Sequence, residues 1–261
     1  MAAADRGLDR EPPVVTRLDV LVVERGLAPS RQRAQALILA GQIKVNGAVS
    51  SKAGANVDPE AEVELVAPDH PYVGRGGIKL AHALDAFAVD PAGRWALDVG
   101  ASTGGFTDVL LQRGAAHVVA LDVGRGQLDW RLRNDPRVTV REAVNARALT
   151  REDVPAAVDL VTIDVSFISL RHIFPALAAI LAPGADVVAL VKPQFEAGRH
   201  EVGKGGLVTD PAVHEAVVAR ATVDAEASGF ARVAMTPSPI TGASGNQEFF
   251  LHLRAGRRNA P

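Results

Sequence analysis

The fold of this chain is decided by the stretch Asp98-Val-Gly100-Ala-Ser-Thr-Gly104-Gly105-Phe106. The apolar run that leads into it, residues 95–99, predicts a buried strand, and residues 106–113 predict a helix. Glycines let such a turn pass close to a ligand, and the first turn of the helix offers free N–H groups. The glycine spacing differs from the G-x-G-x-x-G of dinucleotide sites. The stretch therefore predicts a turn that binds a nucleotide-type cofactor, with a plain helix-capping turn as the alternative.

Helices and strands alternate on both sides of this turn. Helices are predicted at residues 79–87, 106–113, 170–181 and 212–227, and strands at 95–99, 117–122, 138–140, 158–164, 185–192, 231–235 and 247–253. Buried β-rich runs that alternate with helices are typical of an α/β fold with a doubly wound, mostly parallel sheet. Sheets of this kind bind ligands beyond the carboxyl ends of their strands, so polar residues at those ends are the candidates for a site.

Polar residues fall at the expected strand ends, and they suit S-adenosylmethionine as the cofactor. The residues assigned to its methionine part are Asp98, Gly100, Ser102, Gly104 and Gly105. Asp122 is placed to accept hydrogen bonds from the ribose diol, and Asn145 to contact the adenine amine. A solvated aspartate beside a capping turn is the alternative.

Four charged residues form a candidate catalytic set: Lys79, Asp164, Lys192 and Glu248. Methyl transfer to a ribose 2′-hydroxyl needs that hydroxyl held in line with a sulfonium methyl and relieved of its proton. We assign Lys192 as the base or alkoxide stabiliser, and Asp164 as the residue that orients Lys192 and faces the positive sulfur. Lys79 and Glu248 are assigned to position the nucleotide. Taken singly, each of the four is also compatible with a surface ion pair.

A small RNA-binding unit is predicted ahead of the α/β domain. After a disordered leader, helices at 17–22 and 31–40 precede a hairpin around Asn46-Gly47 and a strand at 62–66. Five basic residues and no acid lie between Arg25 and Lys52, which predicts a basic face. The residues assigned to phosphate contacts are Arg31, Arg33, Lys44 and Lys52, with a solvated helix face as the alternative. The expected division of the chain is 1–15 for the leader, 16–66 for this unit, 67–75 for a linker, 76–254 for the α/β domain and 255–261 for a tail.

Composition excludes several classes of protein. The 261 residues include no cysteine, so disulfides, thiolate metal sites and a cysteine nucleophile are excluded. The histidines lack the spacing of metal ligands, and we expect no metal. No signal peptide is recognised at the amino terminus, and the apolar stretch 174–191 is broken by Pro183 and Gly184, so we expect no membrane span. We therefore expect a cytoplasmic protein.

Five motifs carry a resemblance to a known family. They are Arg75-Gly-Gly-Ile-Lys79-Leu, Asp98-Val-Gly-Ala-Ser-Thr-Gly-Gly-Phe-Thr107, Asp164-Val-Ser-Phe-Ile-Ser-Leu170, Val191-Lys192-Pro-Gln-Phe-Glu196 and Gly245-Asn-Gln-Glu248-Phe-Phe. Together they resemble the TlyA/haemolysin-A family of rRNA 2′-O-methyltransferases, whose catalytic domain is FtsJ-like. The resemblance runs from about Arg17 to Leu253 and implies a Rossmann-like class I methyltransferase domain with a seven-stranded sheet. The family's Lys-Asp-Lys-Glu tetrad falls on the four residues of the candidate catalytic set.

The same resemblance implies a substrate and a partner. Residues 17–66 resemble the α+β RNA-binding domain of ribosomal protein S4. The implied substrate is a cytidine ribose in the rRNA of assembled ribosomal subunits, in a modification linked to sensitivity to capreomycin-type antibiotics. Members that act on both subunits tend to carry a C-terminal helical extension, which this sequence lacks. We therefore expect 23S rRNA as the substrate and keep 16S rRNA open.

Two other functions remain open from the sequence. A dehydrogenase would use Asp122 on a cofactor ribose equally well, although its glycine spacing is different. A non-catalytic ribosome-binding or assembly factor would keep the fold and bind subunits without turnover. Phe167 and Phe195 lie next to motif residues, and they either stack on bases or pack in the core.

Overall fold

The computed structural model describes residues 15–28, 30–66, 70–154 and 158–256. The chain forms two compact units, which divide between Asp69 and His70. Most of the predicted leader (residues 1–14), part of the predicted linker (67–69) and most of the predicted tail (257–261) lie outside the described residues.

The amino-terminal unit packs two helices against short strands. Its elements are β1 (Thr16–Arg17), α1 (Leu18–Glu24), α2 (Arg31–Leu39), β2 (Ile43–Val45), β3 (Ala48–Val49), β4 (Asn56–Val57) and β5 (Val63–Leu65). Strands β3, β2 and β5 form one antiparallel sheet, and β1 pairs with β4. Ser30 caps α2, because its Oγ accepts a hydrogen bond from the Arg33 amide at 3.2 Å. Apolar side chains of both helices, among them Leu18, Val22 and Ile38, form the core of this unit.

The carboxy-terminal unit alternates helices and strands as predicted. Its elements are α3 (Gly76–Phe87), β6 (Trp95–Val99), α4 (Gly105–Gln112), β7 (His117–Asp122), α5 (Trp130–Arg133), β8 (Val138–Glu142), β9 (Leu160–Ile163), α6 (Phe174–Ile180), β10 (Asp186–Val191), α7 (Pro193–Glu196), α8 (Pro211–Ala227), β11 (Phe230–Pro237) and β12 (Phe249–Ala255). Short 3₁₀ helices cover Ala146–Ala148, Leu170–His172 and Lys204–Gly206. None of the described helices has the length and apolar character needed to cross a membrane.

The seven strands of this unit form one sheet in the order β11-β12-β10-β9-β6-β7-β8. The strands from β6 to β10 run parallel, whereas β12 runs antiparallel between β10 and β11. Two apolar clusters bury the sheet, one with Phe174 and Leu177 of α6 and the other with Leu84 of α3 and Leu110 of α4. The doubly wound, seven-stranded α/β fold predicted from the sequence is confirmed.

Two predicted elements differ from those in the structure. The helix expected at 170–181 is a 3₁₀ turn at Leu170–His172 followed by α6. Pro175 has no amide hydrogen, so it cannot continue a helix that began at residue 170. The last strand begins at Phe249 rather than at residue 247, so Glu248 precedes it.

Asp98 is buried inside β6 rather than exposed at the end of the strand. Its side chain has 0% exposure, and the strand continues to Val99. The hydroxyls of Thr107 and Thr162 donate hydrogen bonds to its two oxygens, at 2.7 and 3.0 Å. Burial raises the pKa of Asp98 to about 7, although the two hydroxyls oppose that shift.

Replacement of Asp98 by asparagine tests this burial. Folded Asp98 keeps its proton up to a pKa of about 7, whereas the unfolded chain loses it near 3.8, so unfolding becomes easier as the pH rises between these values. From about pH 5.5 to pH 8, we expect wild-type protein to lose about 2 kcal/mol of unfolding free energy that Asp98→Asn does not lose.

Urea unfolding followed by tryptophan fluorescence measures this difference, because both tryptophans, Trp95 and Trp130, belong to the carboxy-terminal unit. The control is Asp90→Asn, which changes an exposed aspartate of the same unit. Equal pH dependence in the wild type and in Asp98→Asn would contradict the prediction.

Candidate active site

The glycine-rich turn leaves β6 and enters α4 in a conformation that needs two of its glycines. Gly100 has φ 87° and Gly104 has φ 98°, in the left-handed region that disfavours residues with a side chain. A Cβ on Gly100 would also overlap the Asp164 carbonyl oxygen, so the turn lies directly against the residue that follows β9. Gly104 precedes the first residue of α4, Gly105. The turn therefore brings the cofactor loop beside Asp164.

A cavity of about 590 Å³ opens along the carboxyl ends of the central strands. Small-molecule sites range over about 300–1,000 Å³, so its size suits a nucleotide-type cofactor. Five of the predicted site residues line it: Gly100, Ser102, Asp122, Asn145 and Asp164. Asp98 lies in the core and is not among the lining residues, so its assignment to the methionine part of the cofactor stays a prediction.

Asp122 ends β7 and lies in the cavity wall with its carboxylate held in place. It accepts hydrogen bonds from the amides of Ser102, at 2.8 Å, and Gly124, at 2.7 Å. A carboxylate has about four acceptor positions, so two remain for a diol. The neighbouring Val123 is 73% exposed and offers an apolar surface beside that carboxylate. A polar anchor next to an apolar surface fits the ribose and adenine of S-adenosylmethionine.

Among the lining residues that the sequence analysis did not predict are Val123, Gln127 and Arg147. Gln127 accepts a hydrogen bond from the Ser102 hydroxyl at 3.2 Å, which joins the segment after β7 to the glycine turn. The sequence feature that could have identified Val123 as a lining residue is its position directly after Asp122. Asn145, which was predicted, accepts a hydrogen bond from the Arg147 amide at 3.1 Å and caps the 3₁₀ turn that contains Arg147.

Lys79 and Glu248 form a buried ion pair. Lys79 extends from the first turns of α3, and Glu248 directly precedes β12. The Lys79 Nζ donates to Glu248 Oε2 at 2.5 Å, and the two side chains are only 11% and 3% exposed. Burying an ion pair costs free energy of folding unless the geometry of the pair is good. The contact also joins residues 169 positions apart in the sequence, so it is a specific tertiary contact.

Lys192 and Asp164 form a second ion pair, at the ends of β10 and β9. Lys192 Nζ lies 2.5 Å from Asp164 Oδ1, and it directs a hydrogen bond to the Ser166 hydroxyl at 3.0 Å. Asp164 also lines the cavity, so this pair lies at its border. The four residues of the candidate catalytic set thus appear in the structure as two lysine–carboxylate pairs.

The two segments that carry this second pair are joined again by Glu196. Its carboxylate accepts hydrogen bonds from the Ser169 hydroxyl at 2.6 Å and from the Leu170 amide at 2.7 Å. Burial raises the pKa of Glu196, and its two hydrogen bonds oppose the shift. Glu196 therefore links the segment after β10 to the segment after β9.

Phe167 protrudes from the segment after β9. It is 89% exposed, with φ 65°, and its ring centroid lies 5.2 Å from that of Phe195. A positive φ in a residue with a bulky side chain is uncommon and often marks a functional position. Of the two interpretations made from the sequence, packing in the core does not apply to Phe167.

The basic residues predicted to contact RNA lie in the amino-terminal unit. Arg31 is half-exposed, and its Nε donates to the buried carboxylate of Asp19 at 2.9 Å. Lys44 pairs across the sheet with Glu64, so an acid lies on the same face. Arg33 lies in α2, and Lys52 is exposed after β3. Within the described residues, no group of three or more histidines and acids is arranged to hold a metal ion.

Two known families match the two units. The FtsJ-like methyltransferase family matches residues 72–255, and the S4 domain matches residues 16–63. A relative in Mycobacterium tuberculosis H37Rv, named 16S/23S rRNA (cytidine-2′-O)-methyltransferase TlyA, is 51% identical over 239 residues, which cover 91% of this chain and 89% of the relative. Hemolysin A of Brachyspira hyodysenteriae is 43% identical over a region that covers 91% of this chain and 99% of that relative.

Solved structures agree with this assignment. A protein from Streptococcus thermophilus, described as a candidate hemolysin, has a TM-score of 0.73 and 43% identity, over 96% of this chain and 91% of its own. A candidate S-adenosylmethionine-dependent methyltransferase from Listeria monocytogenes has a TM-score of 0.52 at 16% identity, over 70% of this chain and 99% of its own, and shares the fold alone. This chain belongs to the FtsJ-like methyltransferase family, and it is an S-adenosylmethionine-dependent methyltransferase that carries an amino-terminal S4 domain.

Proposed function

We propose that this enzyme methylates the 2′-hydroxyl of a cytidine ribose in ribosomal RNA. The observation that carries the proposal is the pair of lysine–carboxylate contacts: Lys192 with Asp164, which lines a cavity that suits the cofactor, and Lys79 with Glu248, at the same edge of the sheet. Relatives that share about half of its residues over nine-tenths of the chain, and that are named for this reaction, support it.

S-adenosylmethionine supplies the methyl group, as an electrophilic carbon on a sulfonium. Asp122 is proposed to accept hydrogen bonds from its ribose, and Asn145 to contact the adenine. Gly100, Ser102, Gly104 and Gly105 are proposed to border its methionine part, with Gln127 and Val123 as additional contacts. Asp98, which was assigned from sequence to the methionine part, is proposed to act indirectly, because it is fully buried in β6 and does not line the cavity.

Lys192 is proposed to act on the ribose 2′-oxygen. Its ammonium group is held by Asp164 and by the Ser166 hydroxyl, so it approaches the substrate from a fixed position. A lysine held in this way either accepts the hydroxyl proton in its neutral form or stabilises the alkoxide as an ammonium. Asp164, at the border of the cavity, is proposed to face the positive sulfur.

Lys79 and Glu248 are proposed to position the nucleotide. The pair is almost fully buried, so both side chains keep one orientation before RNA binds. A fixed ammonium near the ribose favours the negative charge that develops on oxygen during transfer. The carboxylate of Glu248 limits how far Lys79 moves.

The finer features of the substrate follow the family resemblance. We propose 23S rRNA in assembled subunits as the target, with 16S rRNA as a second candidate, and an effect on sensitivity to capreomycin-type antibiotics. Ribosomal subunits are in the cytoplasm, which is therefore the proposed location. The S4 domain is proposed to bind rRNA through Arg31, Arg33, Lys44 and Lys52.

Substitution of Lys192 by alanine tests the catalytic assignment. We expect methyl transfer from labelled S-adenosylmethionine to unmodified ribosomal subunits to fall about 10²–10⁴-fold, because the acid–base group is lost. Binding of the cofactor, measured by calorimetry, is expected to stay near the wild-type value.

Lys204→Ala is the matched control, since it removes an exposed lysine from a different loop. Transfer by Lys192→Ala at the wild-type rate would remove Lys192 from the mechanism. Subunit binding by the wild type without any label in RNA would contradict rRNA as the substrate. Separate assays on small and large subunits identify the target.

Substitution of Phe167 by alanine tests whether its exposed ring contacts RNA. Stacking of a base on an aromatic ring is worth about 1–3 kcal/mol, so the KM for RNA is expected to rise about tenfold or more. Trp130→Ala is the control, because Trp130 is another exposed aromatic residue of the same unit. An unchanged KM in Phe167→Ala would exclude a stacking role.

Substitution of Glu196 by alanine tests the link between the two segments. It removes both acceptors from Ser169 and Leu170, which costs about 1–3 kcal/mol where the donors stay buried. We expect kcat for methyl transfer to fall about tenfold while cofactor affinity changes little. Glu196→Gln keeps the size and one acceptor oxygen, and it is expected to retain most of the activity. Wild-type kcat in the alanine variant would show that the link has no part in catalysis.

A further inference from the structure

A carboxylate in the amino-terminal unit, Asp19, is completely buried and holds two arginines. It has 0% exposure. Arg17 donates to both of its oxygens, from Nε and Nη2, each at 3.0 Å. Arg31 Nε donates at 2.9 Å and Gln35 Nε2 at 2.7 Å, both to Oδ2. These contacts hold the pKa of Asp19 well below its usual range, with the hydrogen bond from Arg17 as the largest cause.

The two arginines remain open to solvent on their other side. Their side chains are 46% and 54% exposed, although each is tied to a carboxylate with no exposure. Arg17 Nη2 and Arg31 Nε both contact Asp19 Oδ2, so these two nitrogens lie at most about 6 Å apart. One buried acid thus holds two guanidinium groups side by side at the surface of this unit.

The loop beside Arg17 is shaped to leave room for its guanidinium. A Cβ on Gly54 would lie 3.2 Å from Arg17 Nη1 and 3.3 Å from Nη2, closer than side chains usually approach. Gly54 has no positive φ, so its backbone conformation does not itself demand glycine. The loop is fixed to the start of α1 by a hydrogen bond from the Asp19 amide to the Ala53 carbonyl at 3.1 Å. The position of the guanidinium is therefore set from two sides.

We propose that Asp19 is a positioning residue for RNA binding, which presents Arg17 and Arg31 as a fixed pair to the phosphates of the RNA backbone. Arginine binds phosphate through planar, charge-assisted hydrogen bonds, and each long side chain loses conformational freedom when it does so. Asp19 imposes that order before RNA arrives, so less entropy is lost on binding. The proposal rests on the proposed function only in that the ligand is rRNA, and it adds Arg17 to the contacts assigned from sequence.

The direction in which one substitution changes the affinity for RNA distinguishes a positioning role from a purely electrostatic effect. Asp19→Asn removes a negative charge, so a purely electrostatic effect would tighten binding to RNA. If Asp19 positions the arginines, binding weakens despite the more positive charge. We expect Asp19→Asn in the full chain to bind unmodified 23S rRNA transcripts about tenfold more weakly, with a salt dependence reduced by about one to two phosphate contacts.

Glu24→Gln is the matched control, because it removes the same charge from an exposed position of α1. It is expected to bind at least as tightly as the wild type. A double-mutant cycle with Arg17→Ala and Arg31→Ala adds a readout that a purely structural role would not move. Once both arginines are removed, Asp19→Asn should cost little further affinity.

Gly54→Val keeps every charge and disturbs the place of Arg17, so it tests the proposal even if Asp19→Asn folds poorly. It is expected to weaken RNA binding several-fold, with a melting temperature close to that of the wild type. Wild-type or tighter binding by Asp19→Asn or by Gly54→Val would overturn the proposal. Absence of methyl transfer by the unaltered enzyme would instead overturn the proposed function, so the two failures are distinguishable.

Discussion

The candidate site depends on the reversal of a single strand. In a sheet of parallel strands alone, a residue that precedes a strand lies at the opposite edge from a residue that follows one. Strand β12 runs antiparallel beside β10, so Phe249 pairs with Val191. Glu248, just before β12, therefore reaches the same edge of the sheet as Lys192, just after β10. Lys79 reaches Glu248 from α3, which lies far earlier in the chain.

The buried charges at this edge are better explained by a role in catalysis than by a contribution to the stability of the fold. Taking a lysine and a glutamate out of water costs several kcal/mol for each ion, and their attraction offsets this cost only in good geometry. An apolar pair of similar size is often as stable or more so, whereas removal of one partner from a buried pair costs about 3–5 kcal/mol. Fixed charges that need no rearrangement when a substrate reacts are what a transfer reaction requires. The pair of Lys79 and Glu248 meets that description.

The sequence predicted the features that follow from strand ends and missed those that follow from loop conformation. Asp122, Asp164 and Lys192 were predicted to come together because parallel strands end at one edge, and the structure brings them there. The burial of Asp98 was not predicted, because the pattern of apolar residues along a strand does not reveal that hydroxyls from two other elements donate hydrogen bonds to its carboxylate.

The contacts within the loops were also beyond the sequence. The hydrogen bonds from Lys192 to Ser166 and from Ser169 to Glu196 involve a segment whose backbone path includes a positive φ at Phe167. Such a path depends on how the two segments after β9 and β10 pack, and no periodic pattern reports it. The contact of Arg31 with Asp19 likewise depends on the packing of α1 against α2.

The same physical arrangement recurs in both units: a carboxylate withdrawn from water fixes a cationic side chain in place. In the amino-terminal unit the arginines keep an exposed side, which suits a ligand that stays in solvent. In the carboxy-terminal unit Lys79 and Lys192 are nearly buried, which suits a reaction that needs water excluded.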